Sequence, residues 1–393
     1  MAEPEVIVVG AGLFGLTVAE RVAAELGLRV LVLERRSHPG GNCHSETDPE
    51  TGIEVHRYGS HIFHCNDETV WRYVNRFSGF NDYRHQVWTV HQGRIFSMPI
   101  NLGTLCAFYG RTLSPDQARA LIAREAGEPS GRPPQNLEDK AVSAVGRPLY
   151  EALIRGYTLK QWDTDPRLLP PEIISRLPVR YGFDNRYFND RYQGIPLAGY
   201  GGLLARMAAT PGVEIRLDTD FFSVRDRLPA HRLLVYTGPI DRYFGYGCGH
   251  LGWRAVRMER EVVASGDFQG TAVVNYADAG IPWTRIHEFR HYHPERRYQD
   301  RRSVIFREFP CAPAADADPA YPIRTAENRR LFEAYRERAH AETDTVFGGR
   351  LGTYRYLDMH QAIGSALKCF ETVIRPRLEG RPVAAAAALV DQD

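Results

Sequence analysis

The stretch EVIVVGAGLFGLTVAERVAAELGLRVLVLERR, residues 5–36, decides the fold. Its run VIVV is short and wholly apolar, as a parallel strand buried on both faces must be. Gly10, Gly12 and Gly15 follow as G-x-G-x-x-G, and LTVAERVAAELG reads as an amphipathic helix closing at Gly27. RVLVLE is a second strand that ends on Glu34. Glycines at this spacing permit a tight turn and let backbone N–H groups approach a pyrophosphate at the helix N-terminus. Glu34 stands where a carboxylate accepts hydrogen bonds from a ribose 2′-hydroxyl. The glycines alone are a weak sign of a dinucleotide site. Strand, glycines, helix, strand and acid in this order are a strong one.

Beyond the acid, ERRSHPGGNCHS places Gly40 and Gly41 in a pattern that resembles the ER-x(4)-GG extension of FAD-linked oxidases and their relatives. FAD is therefore the expected dinucleotide. A second G-x-G-x-x-G, at Gly247, Gly249 and Gly252, lacks the context. The strand-like RLLVY ends about ten residues before it, and no helix or acid-ended strand follows. It reads as a loop, which leaves no second nucleotide fold for NAD(P)H.

A chain of 393 residues predicts more than one domain. A net charge of +1 gives no reason to expect nucleic acid or an anionic membrane as partner. Only three of the 49 basic residues are lysine (Lys140, Lys160, Lys368), and arginine suits bidentate binding of phosphate. The six cysteines form no CxxC pair, no apolar run approaches transmembrane length, and no leader-like segment opens the chain, so a reduced, cytoplasmic protein is expected. The stretch YGSHIFHC, residues 58–65, offers His61, His64 and Cys65, with His56 upstream. With no second Cys/His cluster at ligand spacing, no metal is expected.

Helical patterns cover 66–80, 114–127 and 137–157, with a proline-rich break at 127–135. Strand-like runs recur between 210 and 310 (EIRLDTDF, RLLVYTG, TAVVNYA, SVIFREF), and 326–342 is a charged amphipathic helix. The segment 381–393 reads as a disordered tail.

Five further stretches gather tyrosine, tryptophan and arginine: RGYTLKQW, SRLPVRYGFDNRYFND, IPWTRIHE, AYPIR and GRLGTYRYLDM. Singly, each residue reads as packing or surface; together they offer guanidiniums to a diphosphate and rings to a base or sugar. In order, and with the FAD fingerprint and HIFH, they resemble the bacterial UDP-galactopyranose mutase family from about residue 5 to 375. That resemblance implies an α/β fold: a Rossmann-like FAD-binding domain (1–80, 194–242, 340–380), a helical domain (100–173) and an antiparallel β-sheet domain (81–99, 174–193, 243–325). It implies isomerisation of a nucleotide sugar between pyranose and furanose, by default UDP-galactopyranose. In the mechanism of that family, which the resemblance carries over as an expectation, reduced FAD attacks the anomeric carbon, the diphosphate leaves, and a flavin–sugar iminium lets the ring open and reclose as furanose. NAD(P)H or another external donor reduces the flavin, and the assembly is expected to be a homodimer.

By family position, Arg176 and Arg285 hold the leaving diphosphate, joined by Tyr157, Tyr321 and Tyr356. Tyr187 and Phe188 flank the base; Thr158 and Trp162 lie on the neighbouring helix, with Arg254 and Asn275 nearby. Gly10, Gly12, Phe14, Gly15, Glu34, Arg35, Gly41 and Asn42 contact the cofactor. His61 and Ile62 lie over the flavin, with His64 close behind, and His61 tunes its nitrogen or serves as acid or base. Arg350, Tyr354, Asp358 and Met359 close around it. The chain leaves the family pattern at Ser60, where YGPHIFH has proline, and at His85, Leu153, Ile154 and Ala107. Both ends of the ligand site are thus altered, which points to another hexose or base. An amine-oxidase-type FAD enzyme and a non-catalytic nucleotide-sugar binder are the competing readings.

Overall fold

The computed structural model describes residues 3–127, 133–174, 179–298, 301–312 and 319–382. Arg176, most of the proline-rich break and residues 383–393 of the expected tail lie outside the described residues.

Five short strands run parallel in the order Thr345–Phe347, Leu233–Tyr236, Val6–Val9, Val30–Leu33, Val213–Arg216. The two-residue period sends Val6, Val8, Val30 and Val32 into the core shared with helix Leu13–Leu26. Ile7, Val9, Leu31 and Leu33 go to the other face, against Tyr335 and Ala339 of helix Ala326–His340. Coverage on both faces is why the first two strands are apolar at every position. Gly10, Glu34, Thr237 and Gly348 each follow the carboxyl end of one strand. The crevice beyond those ends is where open α/β sheets take ligands.

The second sheet has seven strands, ordered Tyr321–Pro322, Trp253–Val263, Ser303–Cys311, Arg285–Glu288, Val273–Tyr276, Val87–His91, Arg94–Met98. It is antiparallel except at one junction: Val273–Tyr276 runs parallel to Val87–His91. These strands are distant in sequence and no hairpin joins them, so turn geometry does not impose an antiparallel sense. EIRLDTDF and RLLVYTG contribute their strands to the parallel sheet.

The continuous helix expected over 137–157 is divided. Leu137–Val145 stops at Gly146 (φ 81), and the chain resumes through Arg147–Leu149, a π-helical turn at Tyr150–Arg155, and helix Gly156–Trp162. The helix expected at 66–80 is confined to Glu68–Asn75, capped by Asp67, which accepts from the amides of Thr69 and Val70. The one expected at 114–127 runs Pro115–Ala126 behind a Ser114–Gln117 capping box. The second glycine run is a turn, as expected. No helix among the described residues is long and apolar enough to cross a membrane.

Candidate active site

A cavity of about 720 Å³ opens past the carboxyl ends of the parallel strands. Of the expected cofactor residues, Gly10, Gly12, Phe14, Gly15, Glu34, Arg35, Gly41, Asn42, His61, Arg350 and Met359 line it. A Cβ on Gly15 would stand 2.0 Å from the Gly10 carbonyl oxygen, whereas one on Gly12 would meet nothing within 4 Å. Gly15 therefore lets helix and strand touch, and Gly12 leaves space open to the cavity. Helix Leu13–Leu26 starts here without a side-chain cap, so its positive end is available to an anion. Glu34 accepts from the amide of Ala11 at 2.8 Å and from that of Arg36 at 3.0 Å. This fixes the glycine turn against the second strand and leaves lone pairs for a hydroxyl. An open glycine cradle, an uncapped helix start and a buried acid fit the pyrophosphate and ribose of a dinucleotide.

Ile62, Tyr354 and Asp358 do not line the cavity. Ile62 is buried. The Tyr354 hydroxyl donates to the carbonyls of Gly252 (2.6 Å) and Ile323 (2.8 Å), tying two loops together. Asp358 caps helix Met359–Cys369 in a capping box with Gln361, and so sets the turn that carries Met359. Sequence reasoning missed another part of the cavity wall. There Arg242 donates to Asp220 at 2.8 Å, and Tyr246 stacks on His250 at 4.1 Å. Tyr246 and His250 belong to the second glycine run, which is thus a cavity wall without a nucleotide fold of its own. Its aromatic letters among the glycines were the available signal.

His61 Nδ1 lies 2.7 Å from the Gly59 carbonyl, so that nitrogen carries the proton. Burial, reinforced by Arg350, pushes its pKa down to about 4, leaving a neutral ring whose Nε2 accepts. Burial likewise holds His38 at about 4 and His85 at about 3, against an ordinary 6.5. Folded-state values below the unfolded one mean that the unfolded chain takes up protons first as pH falls. Stability is then full above about pH 6.5 and drops toward pH 4, by up to about 4 kcal/mol per pH unit for the three rings. Scanning calorimetry is expected to show Tm declining steadily from pH 7 to 4.5; a flat profile would contradict the assignment.

Beside this cavity, the seven-stranded sheet builds a second set. Asn275, Arg285 and Glu308 are consecutive rungs across three strands, and His287 lies two residues beyond Arg285 on the same face. The Arg285 guanidinium is 3.4 Å from Glu308, lies 5.7 Å from the centre of the Tyr157 ring and is close enough to the Tyr321 hydroxyl to couple with it electrostatically. Burial opposes its charge, but Glu308 and the phenols of Tyr157, Tyr321 and Tyr187 raise its pKa well above the ordinary value. Burial would push Glu308 up; Arg285 and then His287 hold it down at about 2. The Tyr157 hydroxyl and Asn275 Oδ1 are buried without a hydrogen-bond partner in the protein. An unmet buried polar group costs about 1–3 kcal/mol, which oxygens and N–H groups of a ligand would offset.

Tyr321 stacks on Tyr356 at 5.7 Å, and Arg350 lies 4.7 Å over Tyr356, a continuous row from Arg285 to the cofactor cavity. Trp162 reaches Tyr321 at 6.4 Å, and Thr158 is buried on the same helix. His85, bonded to the Tyr83 hydroxyl at 3.1 Å, packs against Tyr187 and Phe188. His64 stacks on Phe188 at 3.7 Å and bonds Asp190 at 2.8 Å. Its ligand atoms also come within 4.8 Å of those of Asp358 and His360, a grouping that the spacing did not reveal. Arg254 is tied to a helix end, donating to the Gln161 carbonyl at 3.2 Å. Leu153 and Ile154 are buried on the π-helical turn, while Ala107 is exposed on helix Leu102–Tyr109. Glu308, His287 and Tyr292 were not anticipated; the polar alternation of RIHE was the only local hint of His287.

A family model described as UDP-galactopyranose mutase matches residues 152–356, and one for an NAD(P)-binding Rossmann-like domain matches 8–77. A probable UDP-galactopyranose mutase of Klebsiella pneumoniae is 41% identical over 94% of both chains. A dTDP-fucopyranose mutase of Escherichia coli is 35% identical, over 95% of this chain and 100% of its own. A crystal structure of reduced UDP-galactopyranose mutase superposes with a TM-score of 0.72 at 16% identity, covering 98% of this chain and 97% of that one.

Proposed function

The chain belongs to the UDP-galactopyranose mutase family, and from that premise we propose that it interconverts the pyranose and furanose forms of a nucleotide sugar on bound FAD. The observation that carries this is the pairing of a dinucleotide cavity with a permanently charged arginine and orphaned polar groups beside it. Gly12, the start of helix Leu13–Leu26 and Glu34 would hold the pyrophosphate and ribose, and Arg350 and Met359 the ring system. When bound and reduced, FAD would supply the nucleophile for the anomeric carbon.

The protein's own part is to make the diphosphate a good leaving group. Arg285 presents fixed positive charge, and Tyr157 and Tyr321 present hydroxyl donors, where negative charge develops as the glycosidic C–O bond breaks. The low dielectric of the buried site strengthens those contacts without reorganisation. Asn275 offers an acceptor to a ligand N–H or hydroxyl, and Tyr187 with Phe188 a platform for the base. His61, neutral and accepting through Nε2, suits a hydrogen bond from a reduced ring N–H rather than delivery of a proton.

UDP-galactopyranose is the default substrate. A second reading, the same chemistry on another nucleotide hexose such as a deoxy sugar, draws on Ser60, His85, Leu153, Ile154 and Ala107 and on similarity to the dTDP-fucopyranose mutase. Purified protein incubated with UDP-galactofuranose and a panel of UDP- and dTDP-hexoses, with and without dithionite, decides both. Conversion that needs reduction but consumes no stoichiometric reductant is expected. Stoichiometric oxidation of substrate would overturn the mutase, and turnover of a dTDP-sugar alone would establish the second reading. NAD(P)H replacing dithionite would identify a nicotinamide as sufficient donor.

A further inference from the structure

Ser60 is the hub of a hydrogen-bonded chain built into the sheet. Its Oγ lies 2.5 Å from His287 Nδ1 and 2.5 Å from the Tyr292 hydroxyl, which donates to it. On the far side of the ring, His287 Nε2 lies 3.0 Å from Glu308 Oε2. Thr284 donates to the other oxygen of Glu308 at 3.2 Å, and Arg285 lies 3.4 Å from the first. His287, Tyr292 and Thr284 are fully buried and Glu308 is 2% exposed; Ser60 and Arg285 are half-buried.

Hydrogen-bond logic fixes the direction of this chain. An ionised carboxylate only accepts, so His287 Nε2 carries a proton, and a ring holding that single proton leaves Nδ1 to accept. Tyr292 already donates to Ser60, so the Ser60 proton goes to His287. One lone pair on Ser60 then remains for a partner that donates. The position of that partner follows from the neighbours. His61 lines the cofactor cavity, and a Cβ on Gly59 would stand 3.7 Å from Glu308 Oε2, so Ser60 lies between the cavity and the Arg285–Glu308 pair. A sugar whose anomeric carbon faces the cofactor and whose diphosphate meets Arg285 must pass this point. A proline here, as in the pattern the chain departs from, would leave His287 Nδ1 and the Tyr292 hydroxyl unanswered.

We propose that Ser60, His287 and Glu308 form an acid–base relay that takes a proton from a sugar hydroxyl and returns it during ring interconversion. The inference rests on the mutase reading. Closing the new ring requires one sugar hydroxyl to lose its proton as its oxygen bonds the anomeric carbon; the oxygen released from the old ring gains one. As the hydroxyl bonds carbon, its proton passes to Ser60 Oγ and the Ser60 proton passes to His287 Nδ1. The resulting imidazolium keeps its Nε2–H on Glu308. In the forward direction the oxygen released from the old ring takes its proton from water and the imidazolium sheds its own to water. In the reverse direction the same path returns the proton to the sugar, so no net proton or electron is consumed. Arg285 links this relay to the diphosphate: drawn toward the departing phosphate, it leaves more of the Glu308 charge to stabilise the imidazolium.

The test compares wild type, Ser60→Ala and His287→Asn as FAD-loaded, reduced enzyme on whichever nucleotide hexose the wild type converts. Two rates are measured: pyranose–furanose conversion, and scrambling of 18O from the bridging to the non-bridging positions of the β-phosphate. Scrambling reports cleavage of the glycosidic bond without ring exchange. In both variants conversion is expected to fall about 100-fold or more while scrambling stays within about threefold. A third readout is independent of turnover. In 15N-histidine spectra, Ser60→Ala should shift the Nδ1 resonance of one Nε2-protonated ring. Conversion within about threefold of wild type in Ser60→Ala would overturn the relay, as would equal loss of conversion and scrambling. A wild type that neither scrambles nor converts any nucleotide hexose would instead overturn the mutase reading itself.

Discussion

Arg285→Ala is expected to lower kcat about 10²- to 10³-fold while the cofactor stays bound, because removal of one preorganised donor to a developing oxyanion costs that much. Two effects act together. The leaving diphosphate loses a charge-assisted donor, and Glu308, 2% exposed, loses the cation that holds it ionised. An uncompensated carboxylate at that point either repels the diphosphate or takes up a proton, and in the latter form it no longer supports His287. Arg285→Ala/Glu308→Gln is therefore expected to be less impaired than the sum of the single losses, a coupling that a double-mutant cycle measures directly. Absorbance near 450 nm per mole of protein checks cofactor content alongside turnover. Wild-type turnover in Arg285→Ala would remove the diphosphate assignment, and Arg176→Ala is expected to behave like Arg285→Ala.

Two glycines three residues apart are expected to fail differently. In Gly15→Ala the new Cβ meets the Gly10 carbonyl oxygen at 2.0 Å and Val8 at 3.1 Å, both parts of the first strand and its turn. Relief requires the helix to move off the sheet, at a cost of about 3 kcal/mol or more, so soluble yield and Tm should collapse. In Gly12→Val the Cβ meets no protein atom within 4 Å and the backbone, at φ −72, suits any residue. That variant should fold, with wild-type circular dichroism, and lack FAD. Gly12→Val purified with a full complement of flavin would show that the cradle is not where the pyrophosphate sits.

What the sequence made legible follows chain distance. Strand, glycine turn, helix and acid lie within about thirty residues of one another, and each leaves a local mark: apolar run, glycine spacing, amphipathic period, strand-ending carboxylate. Arg285 and the tyrosines were placed by family resemblance, and the structure gathers them. Glu308 was invisible because only the register between strands Arg285–Glu288 and Ser303–Cys311 brings it to Arg285. Register is a property of two segments, and neither carries it alone. The eleven-residue strand Trp253–Val263 escaped notice because charges occupy both of its faces beyond Ala255, blurring the alternation that marks a strand. The helical pattern over 137–157 runs through a real break, because Gly146 stops one helix and Pro148 opens the next within it.

The parallel sheet is assembled from strands at both ends of the chain, and this dictates an order of events during synthesis. Leu233–Tyr236 has an unpaired edge until Thr345–Phe347 leaves the ribosome. The cavity has no complete wall until Arg350 and Met359 follow. FAD binding as proposed must therefore wait until residues 345–359 have emerged, and every newly made molecule passes through a cofactor-free stage. Because a ligand that binds only the native state stabilises it by mass action, flavin supply sets what share of those newborn chains survives proteolysis. Cells short of riboflavin should contain less of this protein, not merely a less active pool of it.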